Sequence, residues 1–97
     1  MTTLCHIPFE VDEWADKTGL HASVLLTQPE RLSDAVAGGP VGHRRVAYIR
    51  QSVVTGTFRI QYRAGSPSGW RYVTEPTYDA ALERVRVWLN RRFRFAE

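Results

Sequence analysis

One cysteine and three histidines are the residues of this 97-residue sequence that most readily serve as nucleophiles, bases or metal ligands. Cys5 and His6 are adjacent, and neighbouring side chains of an extended segment point to opposite faces, so the two cannot act as nucleophile and base. His6, His21 and His43 lack the i, i+4 or C-x-x-C spacing that lets side chains converge on zinc. These residues predict neither a catalytic thiol nor a metal site.

Two glycine-rich segments look like catalytic loops but lack the residues that do the chemistry. The segment GSPSG, residues 65–69, has Pro67 where a G-x-S-x-G turn has its serine nucleophile. The segment GGPVGHRR, residues 38–45, lacks the lysine and the serine or threonine that hold a nucleotide and its magnesium. Paired carboxylates and a cofactor fingerprint are also absent from the sequence. We therefore predict a protein that is not an enzyme and carries no cofactor.

Charge is divided unequally between two parts of the chain. Residues 1–43 hold six acids against Lys17 and Arg31, a net charge of −4, whereas residues 44–97 hold eleven arginines against four acids, a net charge of +7. A basic half predicts an acidic partner, which would be DNA or an acidic protein surface. The alternative is that the acidic and basic halves attract each other within the molecule.

The sharpest candidate site is a row of alternating arginines. On the segment TFRIQYRA, residues 57–64, the pleat of a strand sends the aromatic and aliphatic residues to one face and Arg59 and Arg63 to the other. Arg71 joins this row only if the strand register, which the sequence does not fix, places it on the same face. The complete set of predicted DNA contacts, to bases or phosphates, is Arg44, Arg45, Arg50, Arg59, Arg63 and Arg71. The alternative is the polar face that a half-buried antiparallel sheet requires in any case.

A second candidate surface would bind protein, as in an inhibitor or adaptor of the accessory type found in phages and mobile elements. Arg84, Trp88, Arg91 and Phe95 take neighbouring positions just off the core face of the predicted last helix, and Trp and Arg often anchor interfaces. The acidic first predicted helix, around Trp14, is the other candidate. Trp88 could instead be a core residue at the sheet edge with an arginine stacked over it. The sequence does not determine self-association.

The first part of the chain predicts two short helices around a strand-like run. In residues 8–20, Val11, Trp14 and Ala15 recur at i, i+3 and i+4, which favours a helix. Residues 20–27 form a short apolar run, and residues 27–39 have the spacing of a capping box followed by an apolar stripe.

The second part predicts a sheet and a long helix. Three β-rich runs follow the loop at residues 38–43, and Thr77 caps a helix whose leucines and valines face one side. The predicted fold is a single α+β domain, residues 1–97. It consists of a three-stranded antiparallel meander packed against a long C-terminal helix, preceded by one or two short helices and a strand-like segment.

The pattern GWRYVTEPTYDAALERV, residues 69–85, with the strands before it, resembles the arm-binding DNA-binding domains of integrases. The resemblance covers Arg44 to Phe95. It implies a three-stranded sheet whose open face meets DNA, with a helix packed behind it.

Compartment signals are few. The lone Cys5 cannot form an internal disulfide, and no apolar run reaches the roughly 20 residues that a bilayer-spanning helix needs. The first residues lack the basic start and long apolar stretch of a secretion signal. We therefore expect a cytoplasmic protein without membrane association.

Overall fold

Two antiparallel sheets and one α-helix account for the regular structure of the residues described here. A computed structural model describes residues 6–36, 38–63 and 70–96, with the backbone alone for Arg63, Trp70 and Arg71. The elements in chain order are β1 (Phe9–Asp16), β2 (Gly19–Leu26), a 3₁₀ turn (Pro29–Arg31), β3 (Leu32–Asp34), β4 (Gly39–Pro40), β5 (Arg45–Gln51), β6 (Phe58–Arg63), β7 (Trp70–Glu75), α1 (Tyr78–Arg92) and β8 (Phe93–Phe95).

The larger sheet has five strands in the order β1-β2-β5-β6-β7, and the smaller sheet has three in the order β4-β3-β8. The helix α1 lies against one face of the larger sheet, which we call the inner face. Fully buried residues of that face include Val24, Ile49 and Ile60, and Ala81, Val85 and Leu89 of α1 are buried against them. The opposite face, which α1 does not cover, we call the outer face.

The predicted fold class is wrong, because the larger sheet has five strands and no helix precedes it within the described residues. The segment predicted as the first helix is β1. In β1, Phe9 and Val11 alternate with exposed residues and pack against the core, as a strand requires. The i, i+3, i+4 spacing of Val11, Trp14 and Ala15 is therefore coincidental. The turn to β2 is closed by Asp16, whose Oδ1 accepts a hydrogen bond from the Thr18 amide at 2.7 Å.

The second predicted helix is also wrong. It is reduced to one 3₁₀ turn, whose N-cap residue Gln28 makes no side-chain capping bond. Leu32 is buried in an extended conformation, and β3 pairs with β8, a partner about sixty residues away in the chain. A pairing between such distant segments can replace a local helix, and it cannot be predicted from the residues of one segment alone.

The second half follows its local signals more closely. Strands β5, β6 and β7 occupy the three β-rich runs, although they form the continuation of β1 and β2 rather than a separate meander. The Thr77 side chain accepts a hydrogen bond from the Ala80 amide at 3.1 Å and caps α1. No helix of the described residues is long and apolar enough to cross a bilayer.

Candidate functional site

Arg50 and Arg59 are direct cross-strand neighbours on the outer face, and both are exposed. Neither side chain forms a hydrogen bond or an ion pair with any residue that the structure describes. The guanidinium of Arg59 lies 5.5 Å from the centroid of the Tyr72 ring, a cation–π contact. Two like charges directly opposite each other destabilise a sheet. The pair is therefore a concentration of positive charge that no described residue neutralises.

The register settles the position of Arg71. Arg71 pairs with Tyr62, a buried residue, whereas Thr74 occupies the position opposite Arg59. Arg71 therefore does not continue the Arg59 row. Arg63 pairs with Trp70 and lies four residues from Arg59 along β6, but its side chain is outside the described part of the structure.

The flanking arginines do not extend the row either. Arg44 forms an ion pair with Glu10, and its Nε donates to the carbonyl oxygen of Leu26 at 3.0 Å. Arg45 is exposed where the pairing of β2 with β5 shifts in register, opposite Leu25. Arg44 is thus neutralised by the acidic half of the chain, and Arg45 lies away from the Arg50 and Arg59 pair.

Three residues of the predicted protein-binding stripe, Arg84, Trp88 and Arg91, lie on α1. Trp88 is half-buried, with its ring 4.7 Å from Tyr62 and 5.7 Å from Phe93, measured between centroids. Arg84 is ion-paired with Glu75, and Arg91 is exposed. Because α1 ends at Arg92, Phe95 lies in β8 and cannot continue a helical stripe. The other predicted protein contact, Trp14, lies on the outer face of the larger sheet. Cys5 and the GSPSG segment lie outside the described residues.

A groove on the outer face brings a third cation to Arg50 and Arg59. Its volume is about 590 Å³, and no carboxylate of a described residue lines it. The lining residues are Lys17, Thr18, Arg50, Gln51, Ser52, Val53, Val54, Thr55, Thr57, Arg59 and Thr74. We call this site the cationic groove. The sequence does not predict Lys17 as part of this site, because its segment is acidic and has the spacing of a helix.

Two loops at the same end of the larger sheet form one wall of the cationic groove. Gly19, with φ +112°, packs so closely on the β5–β6 loop that a Cβ atom there would lie 3.0 Å from the Gln51 carbonyl oxygen. Within that loop the Ser52 hydroxyl accepts hydrogen bonds from the amides of Val54 and Thr55, both at 3.3 Å. These contacts fix the loop relative to the β1–β2 turn that carries Lys17.

Beside the cationic groove, three aromatic rings cover the outer side of β2. Trp14 stacks on His21 with ring centroids 5.3 Å apart and planes 8° from parallel. His21 shares a hydrogen bond between Nδ1 and the Tyr48 hydroxyl, and its Nε2 lies 2.7 Å from the Thr18 hydroxyl and 3.2 Å from Asp16 Oδ1. Both ring nitrogens of His21 are thus engaged, which fixes the ring beneath Trp14.

Asp16 supports this cluster from the β1–β2 turn. Hydrogen bonds from the Thr18 hydroxyl and amide, with a smaller contribution from His21, lower the pKa of the Asp16 carboxyl. The Asp16 carboxylate thus interacts with Thr18 of the turn and with His21. Within the described residues no group of three His, Cys, Asp or Glu side chains is placed to hold a metal ion.

Ser23 lies on the outer side of β2, opposite Tyr48 in the register, and offers a stability test. Its side chain is buried, and its Oγ makes no hydrogen bond with the described residues. Ser23→Ala is expected to leave the free energy of unfolding unchanged or raise it by about 1 kcal/mol, because a buried unpaired hydroxyl is removed. Urea denaturation would measure this, with Ser52→Ala as the matched control, since that change removes a paired hydroxyl and should destabilise. A clear loss in Ser23→Ala would mean that its hydroxyl is paired.

Comparison with known proteins gives no relative. No family model, curated protein or solved structure matches this chain.

Proposed function

We propose that this chain is a small, non-catalytic binding module that holds single-stranded DNA on its outer face. The observation that carries the proposal is the Arg50 and Arg59 pair, which is exposed, has no ion-pair partner among the described residues and is joined by Lys17 in one groove. Phosphate groups neutralised by Lys and Arg release counterions, which drives binding to nucleic acid. The unfavourable proximity of the two guanidiniums would then be relieved when the ligand binds.

Aromatic side chains on the same face supply the second element of such a surface. One cross-strand row runs across the larger sheet through Trp14, His21, Arg50, Arg59 and Thr74. Trp14 is 42% exposed, and Tyr72, diagonal to Arg59, is 56% exposed. Stacking of a base on an exposed aromatic ring contributes roughly 1 to 3 kcal/mol and tolerates any base sequence. Bases at either side of the cations could therefore stack while phosphates contact the arginines.

The width of the sheet favours a single strand over a duplex. Five strands spaced about 4.8 Å apart span roughly 19 Å between the outermost strand axes. The major groove of B-DNA is only about 12 Å wide and accepts a two-stranded ribbon. The larger sheet therefore cannot lie flat in the groove, and the strand-in-groove contact first inferred from the sequence is not the one we propose.

Fluorescence anisotropy with a labelled single strand of about 12 nucleotides tests the proposal. Binding at roughly 50 mM salt should weaken as salt rises, with a slope of log affinity against log salt near −2, because three cations each contribute about −0.7. A duplex of the same sequence should bind more weakly. Absence of single-strand binding at that salt concentration, or affinity independent of salt, would reject the proposal.

An acidic protein surface is the alternative partner, since the same three cations attract carboxylates. The aromatic rings provide a way to distinguish DNA from an acidic protein surface as the partner. Trp14→Leu should weaken binding to single-stranded DNA but leave binding to poly-glutamate unchanged, because only bases stack on the indole ring. Tighter binding to poly-glutamate than to DNA in the unmodified protein would favour the alternative.

A further inference from the structure

We propose that the cationic groove binds the terminal phosphate of a nucleic-acid strand, so that the protein prefers a phosphorylated strand end. This inference rests on the proposed function and names the part of the strand that the groove binds. A terminal phosphomonoester carries a charge of about −1.5 to −2 and three free oxygens. A phosphodiester within a strand carries a single negative charge. Among the described lining residues of this one groove, three are cations and none is a carboxylate, which matches the monoester better.

The polar groups around the cations suit the additional oxygens. Thr74 lies opposite Arg59 in the register, and its hydroxyl makes no hydrogen bond with a described residue. The hydroxyls of Thr55 and Thr57 also line the groove, where they form a hydrogen bond with each other at 2.7 Å. A phosphate held by Arg50 and Arg59 therefore has at least one further neutral donor, Thr74, within the same lining.

The location and size of the cationic groove favour a strand end. The β1–β2 turn and the β5–β6 loop meet at Gly19 and form a wall at one end of the larger sheet. A volume of about 590 Å³ falls within the range of small-molecule sites, which leaves room for the terminal nucleotide as well as its phosphate. Val53 and Val54 of the wall are 66% and 90% exposed and provide apolar surface beside the cations. That surface would contact the terminal sugar or base.

Three oligonucleotides of one sequence test the inference: one with a 5′-phosphate, one with a 3′-phosphate and one with neither. Anisotropy should show binding about tenfold tighter for one of the phosphorylated ends than for the unphosphorylated strand, since charge-assisted hydrogen bonds are the strong ones. Lys17→Ala, at an exposed turn, and Thr74→Val should each reduce this preference. Arg91→Ala, on α1, should preserve it. Circular dichroism would verify that each variant is folded.

The outcomes separate this inference from the proposed function. Equal affinity for all three oligonucleotides, with single-strand binding intact, would overturn the terminal-phosphate site alone. Absence of binding to any of them would overturn both proposals. If a nucleoside monophosphate displaced the phosphorylated strand from the cationic groove at equal concentration, the site would belong to a free nucleotide, and the strand-end assignment would fail.

Discussion

Replacing Arg50 and Arg59 together by alanine is expected to weaken binding to single-stranded DNA by about 100-fold, because each guanidinium contributes a charged hydrogen bond to phosphate. The salt dependence should fall at the same time, since two of the three cations of the cationic groove are removed. Anisotropy titrations at several salt concentrations would measure both effects on one sample.

The stability of the same variant distinguishes a binding site from ordinary surface polarity. The two guanidiniums oppose each other across β5 and β6 without a carboxylate partner among the described residues. Their removal should therefore leave the free energy of unfolding unchanged or raise it by about 0.5 kcal/mol. Lower affinity together with equal or higher stability is the signature of residues retained for binding. A loss of stability would instead show that the pair supports the fold.

A matched control removes two arginines elsewhere. Arg91 on α1 and Arg94 on β8 are exposed, and their replacement by alanine changes the net charge by the same amount. This control variant should bind single-stranded DNA within about threefold of the unmodified protein, because non-contacting charges act only through the screened long-range field. An equal loss in both variants would mean that overall charge, and not the outer face, determines binding.

Local periodicity explains what the sequence could predict. The alternation on β6 is strong, and Phe58, Ile60 and Tyr62 are buried as expected while Arg59 is exposed. The capping residue of α1 and its buried stripe are likewise local signals, confined to one element. Where a single element determines a side chain's direction, the sequence alone is informative.

Contacts between distant segments explain what the sequence could not predict. Strand β1 lies at the edge of the larger sheet and buries little, so its few apolar residues fit a helical spacing as readily as an extended one. Lys17 reaches the cationic groove only because the β1–β2 turn packs on the β5–β6 loop. Whether Arg71 shares a face with Arg59 depends on the register between β6 and β7, which the sequence of neither strand determines.

The smaller sheet pairs the segments furthest apart in the chain, and an ion pair links its strand β3 to the end of α1. The Nε and Nη2 atoms of Arg92 donate to Asp34 Oδ2 at 3.0 and 2.7 Å, and both side chains are about 15% exposed. Asp34 Oδ1 also accepts a hydrogen bond from the Val36 amide at 3.0 Å. The pair thus links β3 to the junction of α1 and β8.

Asp34→Ala is accordingly expected to lower the free energy of unfolding by about 3 kcal/mol, because it leaves the Arg92 guanidinium largely buried without its partner. In a domain of this size such a loss lowers the melting temperature by roughly 10 to 20 °C. Thermal denaturation followed by circular dichroism would measure it.

Glu83→Ala is the matched control, because it also removes one carboxylate from an ion pair with arginine. Glu83 is bonded to Arg86 on the surface of α1 and is 63% exposed, so its loss should change the free energy of unfolding by less than about 0.5 kcal/mol. The difference between the two variants isolates burial, since the charge change is the same. If both variants lost equal stability, or if Asp34→Ala lost none, the Asp34 and Arg92 pair would not stabilise the contact between β3 and α1.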